Sequence, residues 1–153
     1  MTFTIGRDIL AALHAHACST YPDECCGFII ERKGRDEVTR VTNVQNQLHA
    51  KDPVQFPRTA AIAYTMGSEA APILMGAERG ELKLRAIFHS HPDHDAYFSA
   101  EDRKQAFGGW DEPNYPDATQ LVISVREGTV RATKAFAWDA AKRDFVEIDF
   151  IVE

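Results

Sequence analysis

The chain has 153 residues, of which 44% are hydrophobic and 26% charged, a size and balance that suit one domain (residues 1–153) with a substantial core. Its net charge of −6, with lysines and arginines scattered along the sequence, argues against nucleic-acid backbones as partners. No apolar run approaches the ~18 residues of a membrane span, and the N-terminus MTFTIGRD lacks the basic and apolar regions of a secretory leader, so the expected compartment is the cytoplasm.

The first predicted element is a helix from Arg7 to Ser19. Ile5, Ile9, Leu13 and Ala17 recur every fourth residue and form one apolar face. The helix ends at Thr20-Tyr21-Pro22, because a residue before proline avoids the helical region. His14 and His16 are expected to face water. Cys26 to Ile30 reads as a buried strand, Lys33 to Asp36 as a turn, and Glu37 to Val44 as the returning strand of a hairpin. Cys18, Cys25 and Cys26 are odd in number and contain no C-x-x-C spacing, which points to reduced thiols rather than a disulfide framework. Residues 45–57, with Pro53, Pro57 and His49, read as polar loop with room for one short strand. Ala- and Met-rich composition predicts a helix from Arg58 to Glu78, with Gly67 and Pro72 as its breaking points.

Leu82 to Phe88 reads as a strand delivering His89, and Ser99 to Phe107 as a short helix. The loop from Gly108 to Asp117 carries Trp110 and Tyr115, which form either a flap over a cleft or part of the core. Leu121 to Val125, Val130 to Trp138 and Phe145 to Val152 complete the set as strands, the last two joined by a turn over residues 139–144. About three helices and six strands, intermixed, predict an α/β sandwich with a mixed or antiparallel sheet.

Chemistry concentrates in His89-Ser90-His91-Pro92 and Ser99-Ala100-Glu101-Asp102. Residues i and i+2 of a strand share a face about 6.6 Å apart, so His89 and His91 can converge on one ion at a strand end. Pro92 stops the strand by removing a ladder donor. Residues 93–98 let the chain turn back, and Asp102, in the first turn of the next helix, can supply an oxygen to the same point. Catalytic zinc takes three ligands of this kind and keeps a fourth position for water. Ser-x-x-Asp also matches a capping box with Ser99 as N-cap, a role that competes for the same carboxylate. The joint pattern is expected by chance in on the order of 1 in 10,000 chains from average residue usage, which favours the metal.

These residues closely resemble the JAMM motif of the MPN+ metallopeptidases: an upstream Glu, then His-Ser/Thr-His-Pro, then Ser-x-x-Asp. Tyr21-Pro22-Asp23-Glu24-Cys25-Cys26-Gly27 looks like the Pro-x-Glu-x-Cys-Gly segment of bacterial members, and Tyr115-Pro116 with residues 121–125 resembles the strand after the motif. The similarity spans residues 5–135. It implies an MPN fold, related to cytidine deaminases, with a curved mixed or antiparallel sheet flanked by helices. It implies one Zn2+ per chain, held by His89, His91 and Asp102. Glu24 would be the general base, and Ser99 would hydrogen-bond near the oxyanion. Deaminase chemistry is not expected, since its His-x-Glu and Pro-Cys-x-x-Cys signature is absent.

The resemblance further implies a peptidase or isopeptidase acting after the C-terminal Gly-Gly of a ubiquitin-like protein. Small bacterial members resemble enzymes that release amino acids from sulfur carriers. A noncatalytic MPN scaffold and a peptidase of peptidoglycan or phage-tail peptides are the competing readings. Asp93, His94 and Asp95 read as a solvated acidic turn near substrate, Cys26 as a buried strand residue, and Cys25 as a thiol flanking the site.

Overall fold

The computed structural model describes residues 1–153. Eleven elements follow in chain order: β1 (Thr2–Ile5), α1 (Arg7–Thr20), β2 (Cys26–Arg32), β3 (Arg35–Val41), α2 (Gln45–Lys51), α3 (Ala70–Glu78), β4 (Lys83–Pro92), α4 (Ala100–Phe107), β5 (Thr119–Arg126), β6 (Thr129–Asp139) and β7 (Asp144–Val152). The strands form one curved sheet in the order β1-β7-β6-β5-β4-β2-β3. It is mixed: β1 runs parallel to β7 and β4 parallel to β5, and the other pairs are antiparallel. The fold class is therefore α/β with a mixed sheet, as expected. No helix is long and apolar enough to cross a membrane.

Both faces of the central strands are covered, so β5 reads as an unbroken buried run from Gln120 to Val125. On one face Leu13 and Ala17 of α1 pack against Ile29, Phe88, Leu121 and Ile123. On the other, Phe28, Ile30 and Val41 meet Tyr64, Ala70 and Leu82, while Val122, Phe136 and Phe145 gather around Ala96. Strand alternation does the sorting. Phe88 belongs to the α1 face, so its neighbour His89 points to the opposite one.

Several boundaries differ from the sequence reading. Ile5, expected on the helix, is a fully buried residue of β1, a strand too short to show alternation. Residues 45–51 form α2 rather than loop or strand. Helix between Arg58 and Glu78 is confined to α3, where Pro72 lies in the first turn and its missing N–H has no intrahelical partner to lose. The hairpin turns at Lys33-Gly34, both with positive φ (51° and 76°), a pattern that matches the twist of the flanking strands. The molecule thus has seven strands and four helices in place of six and three. His14 and His16 also turn inward. His14 Nε2 lies 2.8 Å from Thr133 Oγ1, and His16 is buried, with its ring edge-on to Phe88 and Nε2 3.3 Å from the Cys26 carbonyl.

Candidate metal centre

Strand β4 carries His89 and His91 within its paired length, beside parallel β5. Alternation aims both imidazoles at the face where α4 crosses between these strands. A cluster at the carboxyl end of a parallel pair is a common ligand position in α/β sheets. Asp102 enters from the first turn of α4. His89, His91 and Asp102 are all buried, and their ligand atoms lie within 4.8 Å of one another. His89 Nε2 is 3.1 Å from His91 Nε2 and 3.1 Å from Asp102 Oδ1; His91 Nε2 is 3.2 Å from Asp102 Oδ2.

These spacings suit a metal. Two ligands each ~2.0–2.2 Å from a tetrahedral zinc stand about 3.4 Å apart. His91 Nδ1 donates to the Asp95 carbonyl at 2.8 Å, which leaves Nε2 with a bare lone pair toward the carboxylate unless a proton joins it. A proton from His89 or a metal ion would satisfy that lone pair. Burial works against the charged form of His91, but Asp102 and the Asp95 carbonyl outweigh it and raise its pKa. Burial likewise opposes the Asp102 carboxylate, yet hydrogen bonds from His89 and His91 hold it well below the usual range. Burial lowers the His89 pKa, and Tyr64 stacks on the His89 ring with centroids 4.9 Å apart.

The capping box and the candidate ligand cluster coexist. Ser99 Oγ accepts from the Asp102 amide at 3.1 Å, and Asp102 Oδ2 accepts from the Ser99 amide at 2.9 Å. The same Oδ2 faces His91, so one carboxylate serves both arrangements. Its cap tethers it to the loop and sets its rotamer. Ser99 keeps its own O–H free and lines the cleft.

The cleft has a volume of about 630 Å³. The chain segment from Arg58 to Tyr64 lines one side; residues from His91 to Gln105 line the other. Glu24 opens onto it and is only 6% exposed. Its pKa is pushed up to about 8, first by burial and further by the charge of Asp102, with His91 and Arg58 pulling the other way. A carboxyl poised near neutrality is suited to take up and return a proton. Two contacts locate it. The Glu24 amide donates to the Ala60 carbonyl at 2.8 Å, and Asn43 Nδ2 donates to the Glu24 carbonyl at 2.9 Å. Asn43 also bonds Ala63, Thr65 and Gln45, so one side chain ties Glu24 to the facing wall. Ser90, between the two histidines, accepts from the Cys25 amide at 2.7 Å and thereby joins the histidine strand to the residue after Glu24. Ser90→Ala would leave that buried amide without its acceptor; we expect a loss of about 1–3 kcal/mol in a urea melt.

Other expectations resolve against these positions. Cys25 lies in the α1-side core with its thiol pushed up to about 12 by burial, facing away from the cluster. Cys26 is fully buried and its thiol meets the Val41 carbonyl. Trp110 is 74% exposed, so it is not part of the core, and the cleft is lined without it. Tyr115 lines a smaller pocket beside Tyr64 and Gln105. Asp93 and Asp95 are held by Tyr21 and Arg126, whereas His94 does line the cleft. His49 Nδ1 donates to the Phe56 carbonyl at 2.8 Å. Asn43, Arg58 and Tyr64 went unnoticed in the sequence, where no local pattern distinguishes them.

The model for prokaryotic homologs of the JAB domain matches residues 6–140. The CysO-cysteine peptidases of Mycobacterium tuberculosis and Mycobacterium bovis are each 28% identical over 123 residues, 80% of this chain and 73% of theirs. A protein from Desulfitobacterium hafniense superposes with a TM-score of 0.68 at 22% identity, over 100% of this chain and 93% of the other. One from Salinibacter ruber reaches 0.60 at 26%, over 98% and 90%. A JAB1/MPN domain protein from Archaeoglobus fulgidus reaches 0.55 at 15%, over 99% and 98%. The family match runs from the start of α1 to beyond β6 and so takes in every element that builds the cluster and its cleft; the chain belongs to the prokaryotic homologs of the JAB domain.

Proposed function

We propose that this chain is a cytoplasmic, single-domain zinc peptidase that hydrolyses the bond after the C-terminal Gly-Gly of a ubiquitin-like sulfur carrier. The observation that carries the reading is the convergence of His89, His91 and Asp102 at 3.1–3.2 Å on a cleft that also holds the buried Glu24. The family and the CysO-cysteine peptidase relatives support it. The three free thiols suit a reducing compartment.

His89, His91 and Asp102 would hold one zinc, which when bound supplies a Lewis acid that acidifies water and polarises a carbonyl. Glu24 takes the proton of the attacking water and delivers it to the leaving amine. Its burial keeps its proton affinity high enough for the first transfer without making the second too costly. The free Ser99 O–H donates to the carbonyl oxygen as charge develops there. Glycines on the carrier side let an extended tail lie close to the cleft walls, because no Cβ intervenes.

The test is hydrolysis of a carrier–amino-acid adduct by the purified chain. Release of the amino acid should require about one zinc per chain, stop on chelation and return with zinc. A folded sample that never takes up stoichiometric zinc indicates a scaffold instead, and activity on peptidoglycan or phage-tail peptides alone rejects the carrier. Ser99→Ala should lower kcat about 10-fold to 100-fold through loss of one donor and destabilise α4 by about 1 kcal/mol through loss of its cap, read from turnover and from thermal melts.

A further inference from the structure

We infer that Arg58 anchors the α-carboxylate of the released residue, so that the site takes a carrier joined to a single amino acid rather than to a lysine side chain of a protein. This rests on the peptidase reading above.

Arg58 is the one lysine or arginine among the residues that line the cleft, where the acids are Glu24, Glu101 and Asp102. Its guanidinium is uncommitted. Its ionic partner, Glu101 on α4, stands at 3.8 Å with both side chains about half exposed (46% and 55%), a geometry worth little in solvent. The backbone beneath it is firmly placed. The Arg58 carbonyl accepts from buried Gln45 Nε2 at 3.0 Å. Two residues on, the Ala60 amide donates to Asn46 Oδ1 at 2.8 Å, and the Ala60 carbonyl accepts from the Glu24 amide at 2.8 Å. A half-exposed cationic head thus sits on a base pinned to the residue that handles the proton. Electrostatically, Arg58 is close enough to favour the ionised form of Glu24.

The substrate's chemistry supplies the other half. In a glycine–amino-acid adduct the leaving nitrogen is one carbon from a carboxylate. As water's oxygen bonds to the glycine carbonyl carbon, the C–N bond breaks and the amine takes a proton from Glu24. That carboxylate enters the cleft with the substrate, where Glu101 repels it and Arg58 is the one guanidinium or ammonium group in the lining. An arginine fork matches a carboxylate in bidentate fashion. A lysine-linked leaving group brings an apolar stem with no anion near the scissile bond and has no use for it.

The experiment compares three carriers with the zinc-loaded full chain: one extended past Gly-Gly by a single alanine, the same carrier ending in a carboxamide, and one joined to the Nε of a lysine peptide. The native chain should prefer the free acid by about 10-fold in kcat/KM, mainly through KM, since the fork-to-carboxylate contact is charge-assisted while Arg58 stays half exposed. Arg58→Ala should lose about that factor on the acid and change little on the amide, with Arg58→Lys intermediate. Glu101→Gln should lower KM for the acid, because it removes the competitor for the guanidinium. If Arg58 is only a strap to Glu101, Arg58→Ala and Glu101→Gln will weaken all three substrates together, which overturns the inference. Equal use of acid and amide by the native chain overturns it too. If no carrier is cleaved, the peptidase reading itself fails, and equilibrium binding decides for Arg58: tighter binding of acid than amide, abolished in Arg58→Ala, sustains the anchor, and equal binding removes it.

Discussion

Glu24→Gln should lower turnover of a carrier–amino-acid adduct by about 10³-fold or more while zinc content stays near one per chain. The amide is isosteric and leaves His89, His91 and Asp102 untouched, but it cannot take a proton from water. The same substitution should raise the stability of the metal-free protein at alkaline pH. The folded chain holds the Glu24 carboxyl at a pKa of about 8 against an ordinary 4.5, chiefly by burial. Between those values the folded state keeps a proton that the unfolded state has released, so stability falls as pH rises through the window. We expect the native apoprotein to lose on the order of 1–3 kcal/mol from this group between pH 5 and pH 8. The glutamine variant has no such loss, so it should match the native chain at pH 5 and exceed it at pH 8. Urea melts with chelator present measure both. A native-minus-variant difference that does not change with pH would contradict a buried Glu24, and an undiminished rate would remove its role as base.

Asp102→Ala should abolish stoichiometric zinc uptake and reduce hydrolysis by about 10⁴-fold or more, since one of three ligands and the only carboxylate of the cluster go together. It should also cost about 1–2 kcal/mol in the metal-free chain, because the Ser99 amide loses its acceptor at the start of α4. Asp102→Asn separates the two roles. Its amide oxygen can still cap α4, so apoprotein stability should stay within about 1 kcal/mol of native, yet a neutral, weaker donor should still fail to hold zinc at stoichiometric level. Elemental analysis after dialysis, set beside thermal melts, reads each role independently. Stoichiometric zinc with full turnover in Asp102→Ala would sink the ligand assignment.

The cap and the ligand were rivals when only Ser-x-x-Asp was in view, because a sequence does not say how many partners one carboxylate can face. Folded, Oδ1 turns to His89 while Oδ2 meets both His91 and the Ser99 amide. Secondary structure shows the same division. The β4 and β5 strands and α1 were legible because long apolar runs and four-residue spacing survive whatever packs on them. β1 was not, since four residues are too few for a pattern. Nor was α2, whose polar sequence forms a helix without a strong apolar face of its own, with Gln45 bonded to Arg58 and Thr65. His14 and His16 were placed in water by their polarity, but partners distant in sequence, Thr133 and Cys26, drew them inward.

By itself the sequence determined the donor types and their order: two imidazoles at i and i+2 on a strand, a carboxylate one helical turn into the next element, and an acid just before β2. Local periodicity and capping act within a few residues, so spacing carries the imidazole pair and the carboxylate, whereas the acid before β2 was marked only by the resemblance of residues 21–27 to the JAMM motif. Only the tertiary structure decided that Glu24 is buried beside Asp102, that Asn43 and Ser90 hold it there, and that Arg58 faces the same cleft. Those facts depend on strand order and on which face each side chain turns toward, through contacts between residues tens of positions apart.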